Sequence, residues 1–147
     1  MNALELLKAD HKKVAALFDR VKKTESEKEH WKLFEQIRSE LEVHTHIEET
    51  ILYPKLREHE ELKDLVLEAF EEHKQVKTLI REIDGLVKES EKLAAKLTVM
   101  GENVEHHVDE EENEMFPKVE KLMSKEELEE LGGELQAAKK DRLSAKA

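Results

Sequence analysis

Apolar residues recur along this chain in alternating steps of three and four. The first run, Leu4, Leu7, His11, Val14, Phe18 and Val21, marks one face of a helix over about Ala3 to Lys23. Asn2, with Glu5 three residues on, offers it a capping box. A second run, Phe34, Ile37, Leu41, His44, Glu48 and Ile51, predicts a helix from about Glu27 to Glu58, with Ser26 and Glu29 as its box and Pro54 kinking it near the end. A third, Leu62, Val66, Ala69, His73, Val76, Ile80, Ile83 and Val87, predicts a helix from about Glu61 to Lys88. A fourth, Leu93, Leu97, Met100, Val104, His107, Glu111 and Met115, predicts one from about Ser90 to Met123. A shorter fifth helix, capped by Ser124 with Glu127, carries Leu128, Leu131 and Leu135, with a weak point at Gly132 and Gly133. The basic end, KKDRLSAKA, is expected to fray.

The two halves repeat. His44, Glu48, Tyr53 and Pro54 reappear 63 residues later as His107, Glu111, Phe116 and Pro117, and DHKKVAALFD around His11 returns as EHKQVKTLIR around His73 at an offset of 62. Each half, about 1–60 and 61–123, is a helix pair short of a partner for its apolar face. Together they predict an all-α, up-down antiparallel four-helix bundle over residues 1–123 with an approximate twofold axis. Residues 124–147 would form an extra short C-terminal helix and a frayed tail.

Six seam positions hold ionisable residues: His11, His44, Glu48, His73, His107 and Glu111. In each HxxxE pair the imidazole and the carboxylate share a helix face. A buried polar group without a partner costs about 1–3 kcal/mol, and a carboxylate more, against a total stability of roughly 5–15 kcal/mol for such a domain. Something must satisfy all six together, and two divalent or trivalent cations would. With two imidazoles on each cation and both carboxylates bridging, an oxide or hydroxide bridge makes five ligands and leaves one octahedral position open. That favours iron or manganese over zinc. The bland alternative, ordinary surface His and Glu, fits a lone HxxxE but not a duplicated one that coincides with all four seams.

The other histidines serve as controls. His46, His59 and His106 read as solvated, and His30, at about 1.5 Å per residue, sits about 27 Å from Glu48. Glu49, Glu110 and Glu112, beside the two seam carboxylates, are expected to face water, with His106 and Glu110 as a rival pair. Tyr53 is either a hydrogen-bond donor or ligand near the cations, or a packing aromatic like Phe116.

Composition narrows the partners. Charged residues make up 41% of the 147, which suits helices with a solvated outer face. A net charge of −11 argues against nucleic acid or an anionic membrane surface. The absence of cysteine excludes disulfides, iron–sulfur clusters and thiolate zinc sites. No apolar run reaches transmembrane length and no signal-peptide pattern opens the chain, so a cytoplasmic protein, monomeric or weakly homo-oligomeric, is expected.

The order His, HxxxE, His, HxxxE, with YP and FP after the two Glu residues, resembles the hemerythrin-like HHE cation-binding family over about Leu4 to Met123. The resemblance implies a four-helix bundle around two non-haem irons, oxo- or hydroxo-bridged, held by His11, His44, Glu48, His73, His107 and Glu111. Oxygen carriers of the family place a further His four residues after the helix-three His, where this chain has Lys77, and an Asp five after the helix-four His, where it has Glu112. The expected function is binding of, or reaction with, a small oxidant (dioxygen, hydrogen peroxide or nitric oxide), in its enzymatic form a catalase-like peroxide disproportionation. The alternatives are reversible dioxygen binding or iron and redox sensing without turnover, and a purely structural bundle.

Overall fold

The computed structural model describes residues 1–146, and the last residue of the expected tail, Ala147, lies outside them. Every regular element among these residues is helical. Helix α1 spans Ala3–Lys22 and opens on the expected box: Asn2 Oδ1 accepts from the Glu5 amide at 2.9 Å, and Glu5 Oε1 accepts from the Asn2 amide at 2.9 Å. Helix α2 spans Glu27–Ile47. Its cap is half of the expected box. Ser26 Oγ accepts from the Glu29 amide, but the Ser26 amide donates to Thr24 Oγ1, which leaves Glu29 free of that role. His30 is buried, its Nε2 2.8 Å from the Thr24 carbonyl and 3.2 Å from that of Val21, so it braces the end of α1 against the start of α2.

Each Pro-bearing helix opens into a wider turn before its proline. After α2, Glu48–Leu52 form one π-helical turn, and α3 follows over Tyr53–Leu56. After α5, which spans Leu93–Glu110, Glu111–Met115 do the same ahead of α6 over Phe116–Leu122. The expected Pro54 kink therefore lies upstream of the ring. A proline ring collides with the carbonyl four residues back, and a wider turn relieves that contact. The extra residue also moves the seam: Leu52, not Ile51, is the buried one. Both π turns begin on a seam glutamate.

Helix α4 spans Lys63–Asp84, after a 3-10 turn at Glu60–Leu62. It stops four residues short of the expected Lys88, with Gly85 at its C-cap, and Val87 is 69% exposed rather than on the seam. The Lys92 amide bonds the Ser90 hydroxyl in a local turn, which delays α5 to Leu93.

Helix α1 packs on α2, α4 on α5, and α5 on both α1 and α2. Two apolar clusters result. One gathers Leu4, Leu7, Leu52, Tyr53, Leu56, Val66 and Phe116, and the other Phe18, Phe34, Ile37, Ile80, Leu97 and Met100. The six ionisable seam residues are all buried. They occupy the seam positions between these two groups. Among the described residues no helix is long and apolar enough to cross a membrane.

The extra C-terminal helix is present and longer than the short one expected. Helix α7 spans Lys125–Lys146, 22 residues, as long as α4. Its start is a full capping box between Ser124 and Glu127. Leu128, Leu131 and Leu135 are buried in the same cluster as Leu4, Leu6 and Leu7, so α7 lies along α1, α2 and the first π turn. Tertiary packing, invisible to a propensity argument, anchors the helix through these leucines. Gly132 is where the backbones approach: a Cβ there would stand 2.5 Å from the Met1 carbonyl oxygen and 2.8 Å from the Ala3 nitrogen. Gly133 faces open space. Gly132→Ala should therefore destabilise the fold by about 1–3 kcal/mol through overpacking, whereas Gly133→Ala should stabilise it by about 0.5–1 kcal/mol through helix propensity. Thermal melts of the two variants check the contrast, and equal effects would contradict the α1–α7 contact.

Candidate metal centre

The seam brings His11 from α1, His44 from α2, His73 from α4 and His107 from α5 to one level of the bundle. Glu48 and Glu111, the first residues of the π turns, point between them. His44 Nε2 lies 3.3 Å and His73 Nε2 3.1 Å from Glu48 Oε1. His11 Nε2 lies 3.2 Å from Glu111 Oε1, and His107 Nε2 3.3 Å from Glu111 Oε2. Each carboxylate thus spans an imidazole from each half of the repeat. The rings pair edge to face, His11 with His44 at 4.9 Å between centroids and His73 with His107 at 4.7 Å.

The donor atoms fall into two groups. In one, donor atoms of His11, His44, Glu48 and Glu111 lie within 4.8 Å of one another; in the other, those of Glu48, His73 and His107 do. Five buried atoms in this set have no hydrogen-bond partner: His11 Nε2, His44 Nε2, both oxygens of Glu48, and Glu111 Oε1. Orphaned buried groups on this scale are rare in a stable protein. Two cations fit them. The set is imidazole and carboxylate without sulfur, which suits iron or manganese.

A second ring of carboxylates holds the far nitrogen of every imidazole. His11 Nδ1 is 2.6 Å from Glu112, His44 Nδ1 3.1 Å from Asp10, His73 Nδ1 2.7 Å from Glu49 and His107 Nδ1 2.7 Å from Glu72. The Nδ1 proton donated in each pair fixes the tautomer and turns the Nε2 lone pair inward. The expectation that Glu49 and Glu112 face water is therefore corrected: the π turns swing them against the outer nitrogens of His73 and His11. Lys77 is no ligand; its ammonium lies 2.8 Å from Glu49.

Tyr53 is fully buried and donates to Glu111 Oε2 at 2.5 Å, with its oxygen 3.3 Å from His73 Nε2. Burial, then the charges of Glu111 and Glu48, push its pKa well above the usual phenol value, so it stays a protonated donor. Phe116, its counterpart, lies parallel to the His11 ring at 6.2 Å. The rival pair His106 and Glu110 meets at 3.0 Å, outside the centre, with the His106 side chain 68% exposed.

Opposite charges dominate the electrostatics. Burial alone would lower the His44 pKa, but Glu48, Asp10 and Glu111 outweigh it and raise it from 6.5 to about 10. His73 and His107 also rise, burial being outweighed by Glu48 and Glu49 for the first and by Glu111 and Glu72 for the second. Burial would raise Glu111, but His107 and His11 hold it well below the usual carboxylate range.

The hemerythrin HHE cation-binding domain profile matches residues 2–119. The crystal structure of a hemerythrin HHE cation-binding domain-containing protein from Mycobacterium kansasii superposes with a TM-score of 0.83 at 28% identity, over 99% of this chain and 89% of that one. A DNA nickase from Nostoc is 27% identical over 139 residues, 95% of this chain. The chain spans about two fifths (39%) of that relative's length.

The raised imidazole pKa values set a pH test. A group raised in the folded state stabilises it fully below its unfolded pKa, and loses that contribution as pH rises through the folded value. For His44 the window runs from 6.5 to about 10. Chelated protein should melt progressively lower across this window, and protein loaded with metal, whose ligands are already deprotonated, should vary far less. Melting temperatures of both forms from pH 6 to 10 check this, and a flat chelated curve would contradict the charge pairing.

Proposed function

This chain belongs to the hemerythrin HHE cation-binding domain family, and from that premise we propose that it is a non-haem di-iron protein that reacts with small oxidants, hydrogen peroxide first among them. His11, His44, Glu48, His73, His107 and Glu111 are the residues that would hold the metals. The five orphaned donor atoms at the centre of the bundle carry this reading.

A pair of redox-active metals supplies a Lewis acid and two electrons. The chain supplies the rest. Asp10, Glu49, Glu72 and Glu112 hold the four Nδ1 protons, and Tyr53 keeps its proton on the hydroxyl that faces Glu111. Val14, Leu41, Val76, Val104 and Val108 wall a cavity of about 30 Å³ beside the four imidazoles. Roughly 10–15 Å³ of such space holds one water, so the cavity is on the scale of dioxygen, nitric oxide or peroxide. A cleft of about 380 Å³ between α1 and α5 shares His11, Val104 and Val108 with this cavity and is the proposed route to it. In the catalase-like reaction one peroxide is oxidised to dioxygen, releasing two electrons and two protons, and a second is reduced by them to two waters.

Reversible dioxygen carriage is the second reading. Lys77 disfavours it, because it stands on Glu49 where the carriers of the family have an imidazole, and each metal position is left with two. The nickase activity of the Nostoc relative is not proposed for this chain, since a net charge of −11 repels a phosphate backbone.

Iron-loaded protein given peroxide should evolve dioxygen faster than the same amount of free iron; no excess rate would contradict the enzymatic reading. His73→Ala should lower bound iron by about half or more, whereas His106→Ala should leave it near normal. The reverse pattern in metal analysis would place the centre on the other face of α5.

A further inference from the structure

Two of the four imidazole–carboxylate pairs carry a lysine. Lys77 of α4 bonds Glu49, which holds His73. Lys139 of α7 bonds Asp10 Oδ1, whose Oδ2 lies 3.1 Å from His44 Nδ1. The two lysines therefore serve one imidazole in each donor group, His44 in the group with His11 and His73 in the group with His107. Asp10 is buried, with its side chain 6% exposed, and its two oxygens are divided between an ammonium and an imidazole. The Lys139 side chain is 20% exposed, and it arrives from a helix that supplies none of the six inward-facing donors.

We propose that Lys139 is a positioning residue for one of the two metals, and that α7 is thereby part of the centre. This rests on the two-metal reading. A carboxylate held at both oxygens cannot turn, so the ring plane of His44 and the direction of its Nε2 are fixed from a distance. The ammonium also compensates a buried charge that would otherwise stand against the imidazole alone. Without it Asp10 seeks water or rotates, and His44 loses its support. Lys77 acts in the same way on His73, so each lysine governs one position and not the other. The α7 packing along α1, through Leu128, Leu131, Leu135 and the close approach at Gly132, is what delivers Lys139 to Asp10.

The test uses full-length protein loaded with two equivalents of cobalt(II), then exposed briefly to a chelator and crystallised. In Lys139→Met the anomalous signal should fall beside His11 and His44 and persist beside His73 and His107, with cobalt leaving the first position at least tenfold faster than in the parent protein. Lys77→Met should show the opposite pattern. Lys139→Arg, which keeps charge and donors, should restore parent behaviour. Equal loss from both positions in Lys139→Met, in step with a lower melting temperature, would overturn the proposal and leave Lys139 a stabilising contact. Unchanged release at both would overturn it as well. Parent protein that takes up fewer than two cobalt ions would instead remove the two-metal reading beneath it.

Discussion

Six ionisable side chains cannot share the interior of a small bundle unless something balances them. That constraint decides the rest of the structure. Apolar seams on four helices would give an ordinary core, but here the seam is cut by a polar level, with a separate apolar cluster at each end. The clusters provide the hydrophobic stabilisation, and the polar level consumes some of it. Such a level is tolerable where its inward atoms bind cations and its outward atoms are hydrogen-bonded, and the four outer carboxylates meet the second condition.

Those carboxylates follow the internal repeat more closely than a search for ligands alone reveals. The acid just before the first His of each half, Asp10 or Glu72, serves the second His of the same half, His44 or His107. The acid just after the seam Glu, Glu49 or Glu112, crosses to the first His of the other half, His73 or His11. The signal was in the chain, as DH against EH and EE against EE. It is a faint signal, because neighbours of a seam residue are expected to point outward. The π turns break that rule for Glu49 and Glu112, whereas Asp10 and Glu72 lie in the regular turns of α1 and α4. Symmetry fails at the next position, where Tyr53 donates to Glu111 while Phe116 can only stack.

The four helices, their antiparallel pairing and the convergence of the six seam residues were legible because a step of three and four leaves little freedom in which side faces in. Three features were not. The start of α5 depends on a local turn at Ser90, the seam beyond Glu48 on a one-residue widening, and α7 on a partner surface built by α1 and α2. Each is a tertiary or backbone effect that outweighs local propensity. The helix read in the sequence as a short addition brings Lys139 to the polar level, and the fit of Gly132 on the first residues of the chain shows how closely it is seated.

The proposed function rests on how small the space beside the imidazoles is and on the even division of imidazoles between two positions. The second of these favours the proposed reaction with small oxidants over carriage. The most direct test is a crystal structure of the protein as isolated, with diffraction recorded across the iron absorption edge. The account predicts two anomalous peaks in one level of the bundle, one beside His11 and His44 and one beside His73 and His107, with Glu48 and Glu111 between them. The six side chains gathered around water alone in metal-replete protein, or metal bound outside the bundle near His106, would contradict it.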